Sequence, residues 1–244
     1  MRQSLSYTLK FIVFSAFFAI VVLVFGFSGL FSKKSKGTFF STKERTKINI
    51  IIDAGHGGED GGAVANGVVE KDINLSVSKY LFQYFLLSPC DVHMTRATDV
   101  LLYKEGQEKR KKQYDITNRI EFANSFESAV FISIHQNKFE IPKYKGLQVY
   151  YSPNNDLSEN LAEIIRSNNN LFIDPENKRQ IKKADKKIRV LNTLEMPAVL
   201  VECGFLSNSD EADKLKDSEY QKKIAFNIFI SVLQFMEENG DGIL

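Results

Sequence analysis

Tryptophan is absent from this 244-residue chain, and cysteine occurs only twice, at Cys90 and Cys203. The missing tryptophan does not deprive the chain of a core, because 20 Phe and 9 Tyr are present and 43% of the residues are hydrophobic. Two distant cysteines, neither in a CxxC pair, exclude a disulfide framework. They read as isolated thiols, and a single Cys90–Cys203 bridge stays open if the domain lies outside the cell. Excess charge of one sign is also lacking. A net charge of +2 excludes nucleic acid or another polyanion as a broad partner. No internal repeat and no low-complexity tract interrupts the chain, whose length suits one ordinary domain plus a short extra segment.

What is there begins with an apolar run. From Phe11 to Phe31, "FIVFSAFFAIVVLVFGFSGLF", no charged residue occurs. At ~1.5 Å per residue this run matches the ~30 Å hydrocarbon thickness of a bilayer. A cleaved signal usually has a shorter apolar core of roughly 7–15 residues and an Ala-x-Ala-like exit; this run is longer and exits through "GLFSKKSK". The expected organisation is a tail over 1–10, an uncleaved transmembrane anchor over 11–31, a basic linker over 32–47 and a folded domain over 48–244. Arg2 and Lys10 precede the span, and Lys33, Lys34 and Lys36 follow it. By charge alone this would leave the folded domain in the cytoplasm, although the rule is weak for a long trailing domain.

Within the folded part, strands alternate with helices. "INIII" at 48–52, "DVHMT" at 91–95, "AVFISI" at 129–134, "LQVYY" at 147–151 and "AVLVE" at 198–202 read as strands. Helical periodicity runs over 70–87, 115–126, 157–172 and 218–238, and the charged stretch 174–190 reads as a surface excursion. This alternation predicts an α/β fold: an open, mostly parallel twisted sheet of about six strands with helices on both faces.

Three of these strands stop at residues with chemistry. The first runs into Asp53 and His56, the third into His135, and a late one into Glu202. Parallel neighbours would bring all three to the carboxyl edge of the sheet, where open α/β sheets place their sites. Only three histidines exist in the chain, and two of them stand at such ends. The third, His93, sits mid-strand and reads as a packing or surface residue.

The glycine-rich "IIDAGHGGEDGGA" at 51–63 is not a phosphate loop. No Lys-Ser or Lys-Thr follows its glycines, and the third glycine of a dinucleotide fingerprint is replaced by Asp60. A hydrolytic metal site fits better, because such sites use three protein ligands, commonly two His and a carboxylate. His56 and His135 supply the imidazoles; Asp53, Glu59, Asp60 and Glu70 are all candidates for the carboxylate. Glu202 ends a buried strand, where an acid is costly unless paired or at work. It is either a general base or the partner of a cation such as Arg96, or the cap of a following turn.

Taken together, "IIDAGHGGEDGGA", "VVEKDINL" at 68–75, "FISIHQN" at 131–137 and "PAVLVECGFLSN" at 197–208 resemble the zinc-dependent N-acetylmuramoyl-L-alanine amidases of bacterial cell walls, in family order. The resemblance implies one zinc ion per chain held by His56, Glu70 and His135, with Glu202 as the catalytic glutamate. It also selects Glu70 over the other acids, which spacing does not. Arg96, Arg119, Asn124 and Asn137 match family positions that support the site or touch substrate. Gln136 departs from the small residue usual after the second histidine, and is expected to reshape the mouth of the site or reach the substrate. Cys203, next to Glu202 on a strand, should point to the opposite face.

The implied substrate is a peptidoglycan glycan strand with its stem peptide, cut between the lactyl group of muramic acid and L-alanine. Because peptidoglycan lies outside the cytoplasmic membrane, the resemblance overrides the charge rule and implies an extracytoplasmic catalytic domain. An anchor, a linker and a catalytic domain without wall-binding repeats resemble the sporulation amidases that prepare spore cortex for muramic-δ-lactam formation. The absence of a targeting module also makes an accessory protein an expected partner.

Overall fold

The computed structural model describes residues 47–243. The tail, the apolar run 11–31 and the linker to residue 46 lie outside the described residues. Among the described residues, no helix is long and apolar enough to cross a membrane.

Six strands form one sheet: β1 (Asn49–Ala54), β4 (Asp91–Met94), β5 (Ala129–Asn137), β6 (Gln148–Tyr151), β7 (Lys182–Lys183) and β8 (Ala198–Phe205), in the order β4-β1-β5-β8-β6-β7. A separate hairpin pairs β2 (Val64–Ala65) with β3 (Val68–Val69). The four strands from β4 to β8 are mutually parallel, whereas β6 runs antiparallel to β8 and β7 parallel to β6. The expected mostly parallel sheet is therefore a mixed one, reversed at one side. That reversal matters for the site: the carboxyl ends of β1, β5 and β8 and the starts of β6 and β7 all meet at one edge.

The strand register explains the two faces. In β1, Ile50 and Ile52 enter the larger core, whereas Ile51 enters the smaller one. In β8, Val199 and Val201 face the larger core and Ala198 and Leu200 the smaller. Cys203 continues the first series and Glu202 the second, so the two side chains point to opposite faces as strand alternation requires. Cys90 and Cys203 are both buried free thiols, and Cys90 Sγ lies 3.7 Å from Met236 Sδ.

Helices cover the larger core. In α1 (Glu70–Phe85), Ile73, Val77, Leu81 and Phe85 recur on one face and are buried, with Tyr80 and Tyr84 flanking them. The C-terminal helix, here α5 (Ser218–Ile243), buries Ile224, Ile228, Val232 and Phe235 and packs on α1 and on α3 (Leu157–Phe172). It runs past its expected end at 238, through Gly240 and Gly242. The short α4 (Ser209–Lys216) begins at an Asn208 cap, whose side chain accepts from Glu211 N at 3.1 Å.

The smaller core lies under α2 (Lys111–Asn124), which contributes Ile120 and Ala123, and under Leu191 and Leu194. The charged stretch 174–190 is more than a surface excursion. It carries β7 and buries Asn177 and Ala184, and thereby extends the sheet beside the site.

Candidate metal centre

The start of α1 builds the site. The first N–H groups of a helix have no partner within it. Here Glu70 N donates to Ala63 O at 2.9 Å and Lys71 N to Gly61 O at 3.1 Å. The glycine-rich loop is thus tied to the helix start and holds the Glu70 carboxylate beside His56. Two glycines are dictated by this closeness. A Cβ on Gly55 would lie 2.2 Å from His135 Nε2, and one on Gly62, at φ +68, would lie 2.5 Å from Glu70 Oε2. His56 itself adopts a left-handed φ of 60, which non-glycine residues rarely do outside constrained sites.

His56, Glu70 and His135 converge. Glu70 Oε1 lies 2.9 Å from His135 Nδ1 and 3.3 Å from His56 Nε2, and one ligand atom from each residue lies within 4.8 Å of the others. Ligands at ~2.0–2.1 Å from a tetrahedral zinc stand about 3.4 Å apart, so two imidazoles and a carboxylate in this arrangement fit that ion. The other acids have different tasks. Asp60 Oδ2 accepts from His56 Nδ1 at 2.8 Å, Glu59 pairs with Lys111, and Asp53 is buried against Arg119, Thr95 and Ser133.

The charges of the group are interlocked. Burial pulls His56 down, but hydrogen bonds and charge from Glu70, joined by Asp60, outweigh it and raise its pKa to about 9. Burial opposes ionisation of Glu70, yet the two imidazoles hold its carboxyl well below the usual range. Ala63 N at 2.7 Å and Gln136 N at 3.1 Å also donate to the Glu70 carboxylate.

Glu202 stands one strand away, in register with His135. It is half-buried, and its Oε2 is enclosed without a hydrogen-bond partner among the described residues. Burial raises its pKa to about 7; His135 and His56 pull it down and Glu70 pushes it up. The β5–β8 register shifts between His135 and Asn137, a bulge of the kind that re-aims side chains near sites.

The alternative partner for Glu202 is ruled out by geometry. Arg96 is buried and spends its guanidinium on the carbonyls of Ala54, Gly55, Lys71 and Thr98. It fastens the loop before His56 rather than facing substrate. Gln136 corrects the expectation for the site mouth: it is buried on the face opposite His135, where its Nε2 donates to Asn74 Oδ1 at 3.2 Å. Asn137 is half-buried, and its carbonyl accepts from Leu206 N at 2.8 Å. Asn124 is exposed in the last turn of α2, which leads into the opposite end of β5. His93 packs on Phe126, with ring centroids 4.1 Å apart, and meets Asn49.

One contributor, Asn74, carries no signal of its own in the sequence. Asn74 reaches back one helical turn to Glu70 Oε1 and also to Gly55 O. Arg119 joins Asp53, Asp115 and the carbonyl of His56 in a buried network. Of the two roles that the resemblance implies for Arg119, support of the site and contact with substrate, this network is the first.

A family model described as N-acetylmuramoyl-L-alanine amidase matches residues 50–234, the whole span that carries these groups. The chain belongs to this family of amidases. It is an enzyme acting on peptidoglycan at the bond the family name specifies. The amidase is 34% identical to the germination-specific N-acetylmuramoyl-L-alanine amidase of Bacillus subtilis, over 91% of this chain and 93% of that protein. Among solved structures it resembles the CwlD amidase of Clostridioides difficile in complex with the GerS lipoprotein. That match has a TM-score of 0.74 and 38% identity, over 78% of this chain and 98% of that one. It also resembles the amidase AmiC2 of Nostoc punctiforme, with a TM-score of 0.66 and 30% identity over 78% and 97% of the two chains.

Proposed function

We propose that this amidase is a zinc enzyme that releases the whole stem peptide from muramic acid in spore cortex. The observation that carries the reading is the convergence of His56, Glu70 and His135 beside the unpartnered carboxylate of Glu202. Those three residues would hold the metal. Zinc held there supplies a Lewis acid for the scissile carbonyl and lowers the pKa of a water toward ~7. Glu202 takes a proton from the attacking water at its free oxygen and delivers it to the departing L-alanine nitrogen. Water adds to the lactyl carbonyl carbon, the C–N bond breaks, and the products are a lactyl carboxylate and a peptide with a free amine. Asp60 orients His56 by accepting from Nδ1, and Arg96 and Arg119 fix the backbone on either side of it.

The cortex role is supported by similarity to a germination-specific amidase across nearly the full length of both chains. A muramic acid stripped of its peptide has the bare lactyl carboxylate from which muramic-δ-lactam forms once a deacetylase frees the amine. Residues 11–31 anchor the enzyme, with its catalytic domain outside the cytoplasmic membrane, on the cortex side. The solved relative in complex with a lipoprotein supports an accessory protein for this chain too.

Digestion of purified muropeptides by the full chain, with and without a zinc chelator, tests the reading. Intact stem peptides bearing a free L-alanine amine, lost on chelation and restored by zinc, are expected. Shortened stem peptides would make it a peptidase, and chelator-resistant release would remove the metal.

A further inference from the structure

Beyond Glu202, the catalytic edge continues into strands the reaction has not yet used. Gln148, the first residue of β6, pairs with Glu202 across the antiparallel ladder, so the two side chains share a face with Cα atoms about 5 Å apart. Gln148 is buried, and its Nε2 donates to the carbonyl of Gln180, just before β7. Its Oε1 lies 3.4 Å from Arg179 Nη1. Arg179 Nε donates to Lys145 O at 2.7 Å, and the guanidinium lies over the Phe205 ring, 4.2 Å from its centroid. Arg179 is thus a half-buried cation held from three sides, and among the described residues it forms no ion pair. Tyr150, two residues along β6 from Gln148 and on the same face, pairs with Leu200 and feels Glu202 and Arg179 with opposite sign.

The order of strands along the edge gives the substrate a direction. On the reading of Glu202 above, on which this step rests, Glu202 must reach the leaving nitrogen. The nitrogen therefore lies on the Glu202 side of the metal group, and the peptide it carries continues over β6 toward Arg179. That direction would leave the glycan to the other side, where an open hollow of about 710 Å³ is lined by Glu59, Asp60 and Lys111 among others. In peptidoglycan the residue after L-alanine is a D-glutamate linked through its side-chain carboxyl, so its α-carboxylate is either free or amidated. A guanidinium presents paired donors that match a carboxylate and have no equivalent match in an amide.

We infer that Arg179 is a specificity-determining residue of this amidase, binding the free α-carboxylate of the second stem residue while Gln148 and Phe205 hold its guanidinium in place.

The test compares two N-acetylmuramoyl peptides that differ only at that group, one with D-glutamate and one with D-isoglutamine. The full chain is assayed as wild type, Arg179→Gln and Arg179→Lys, with zinc content and thermal melting recorded for each. Wild type is expected to prefer the acid in kcat/KM on the order of ten- to a hundredfold. Arg179→Gln should abolish that preference by losing activity on the acid alone, and Arg179→Lys should keep part of it. A wild type that treats both substrates alike overturns the inference without any variant. An equal loss on both substrates, or no loss on either, does the same for Arg179→Gln. Glu202→Gln run alongside separates the two readings: full activity on both substrates would overturn the role of Glu202, whatever Arg179 does.

Discussion

Asp60 Oδ2 accepts a hydrogen bond from His56 Nδ1 at 2.8 Å, while Lys112 Nζ holds the other carboxylate oxygen at 2.7 Å. A carboxylate can only accept, so the proton resides on Nδ1 and Nε2 is left facing Glu70. Such a carboxylate behind a metal-binding histidine fixes its tautomer and raises its basicity. Asp60→Asn should weaken zinc binding about 10–100-fold, measured by competition with a chelator of known affinity. Activity should recover at saturating zinc. An unchanged affinity would show that Asp60 does no more than pin the loop.

Gly55 tests the packing beneath the second histidine. A methyl at that position would overlap the His135 ring, its Cβ 2.2 Å from Nε2 and 2.3 Å from Cε1. Gly55→Ala should lower zinc stoichiometry and destabilise the protein by about 1–3 kcal/mol, the usual scale for overpacking. Zinc content and a denaturant titration check both. Full zinc content at wild-type stability would mean that the ring moves freely.

Protons compete for the metal group. His56 is raised from 6.5 to about 9, so in metal-free protein its stabilising contribution is complete below pH 6.5 and lost as pH rises through 9. Glu70 is lowered from 4.5, so its contribution is complete above pH 4.5 and lost as pH falls through its folded value. Metal-free protein should therefore gain most from this group between pH 4.5 and 6.5, and its melting temperature should fall from pH 6.5 to 9. Zinc displaces those protons, so the stabilisation it adds should grow with pH over the same range. Thermal melts with and without chelator report both slopes, and parallel slopes would contradict the coupling.

Arg119 neutralises two buried acids, Asp53 and Asp115, and its Nη2 donates to His56 O at 2.7 Å. Removing the cation strands both carboxylates. Arg119→Met should cost about 3–5 kcal/mol in chemical denaturation. A loss below about 1 kcal/mol would show that water or neighbouring donors replace it.

The strand ends were legible because β1, β5 and β8 are buried on both faces and read as plain apolar runs that stop at His56, His135 and Glu202. The helices α1 and α3 were legible from their period, with α3 recovered at 157–172 as expected. Spacing alone could not choose Glu70 among four acids. That choice depends on hydrogen bonds from Glu70 and Lys71 N–H to a loop whose path only the folded chain defines. Gln136 was misplaced because a strand neighbour of a site residue points away from the site, the rule that worked for Cys203. Arg179 was hidden because β7 is two residues long and both are lysines, a pattern with no apolar alternation to detect.

The most direct test of a zinc amidase worked by Glu202 is one comparison on the full chain. Wild type and Glu202→Gln are analysed side by side for zinc content and for release of intact stem peptide from muropeptides. The variant should hold as much zinc as wild type and lose activity by about 10²–10⁴-fold, the range for removing a general acid–base. A variant that keeps its zinc and releases peptide at the wild-type rate would contradict the account.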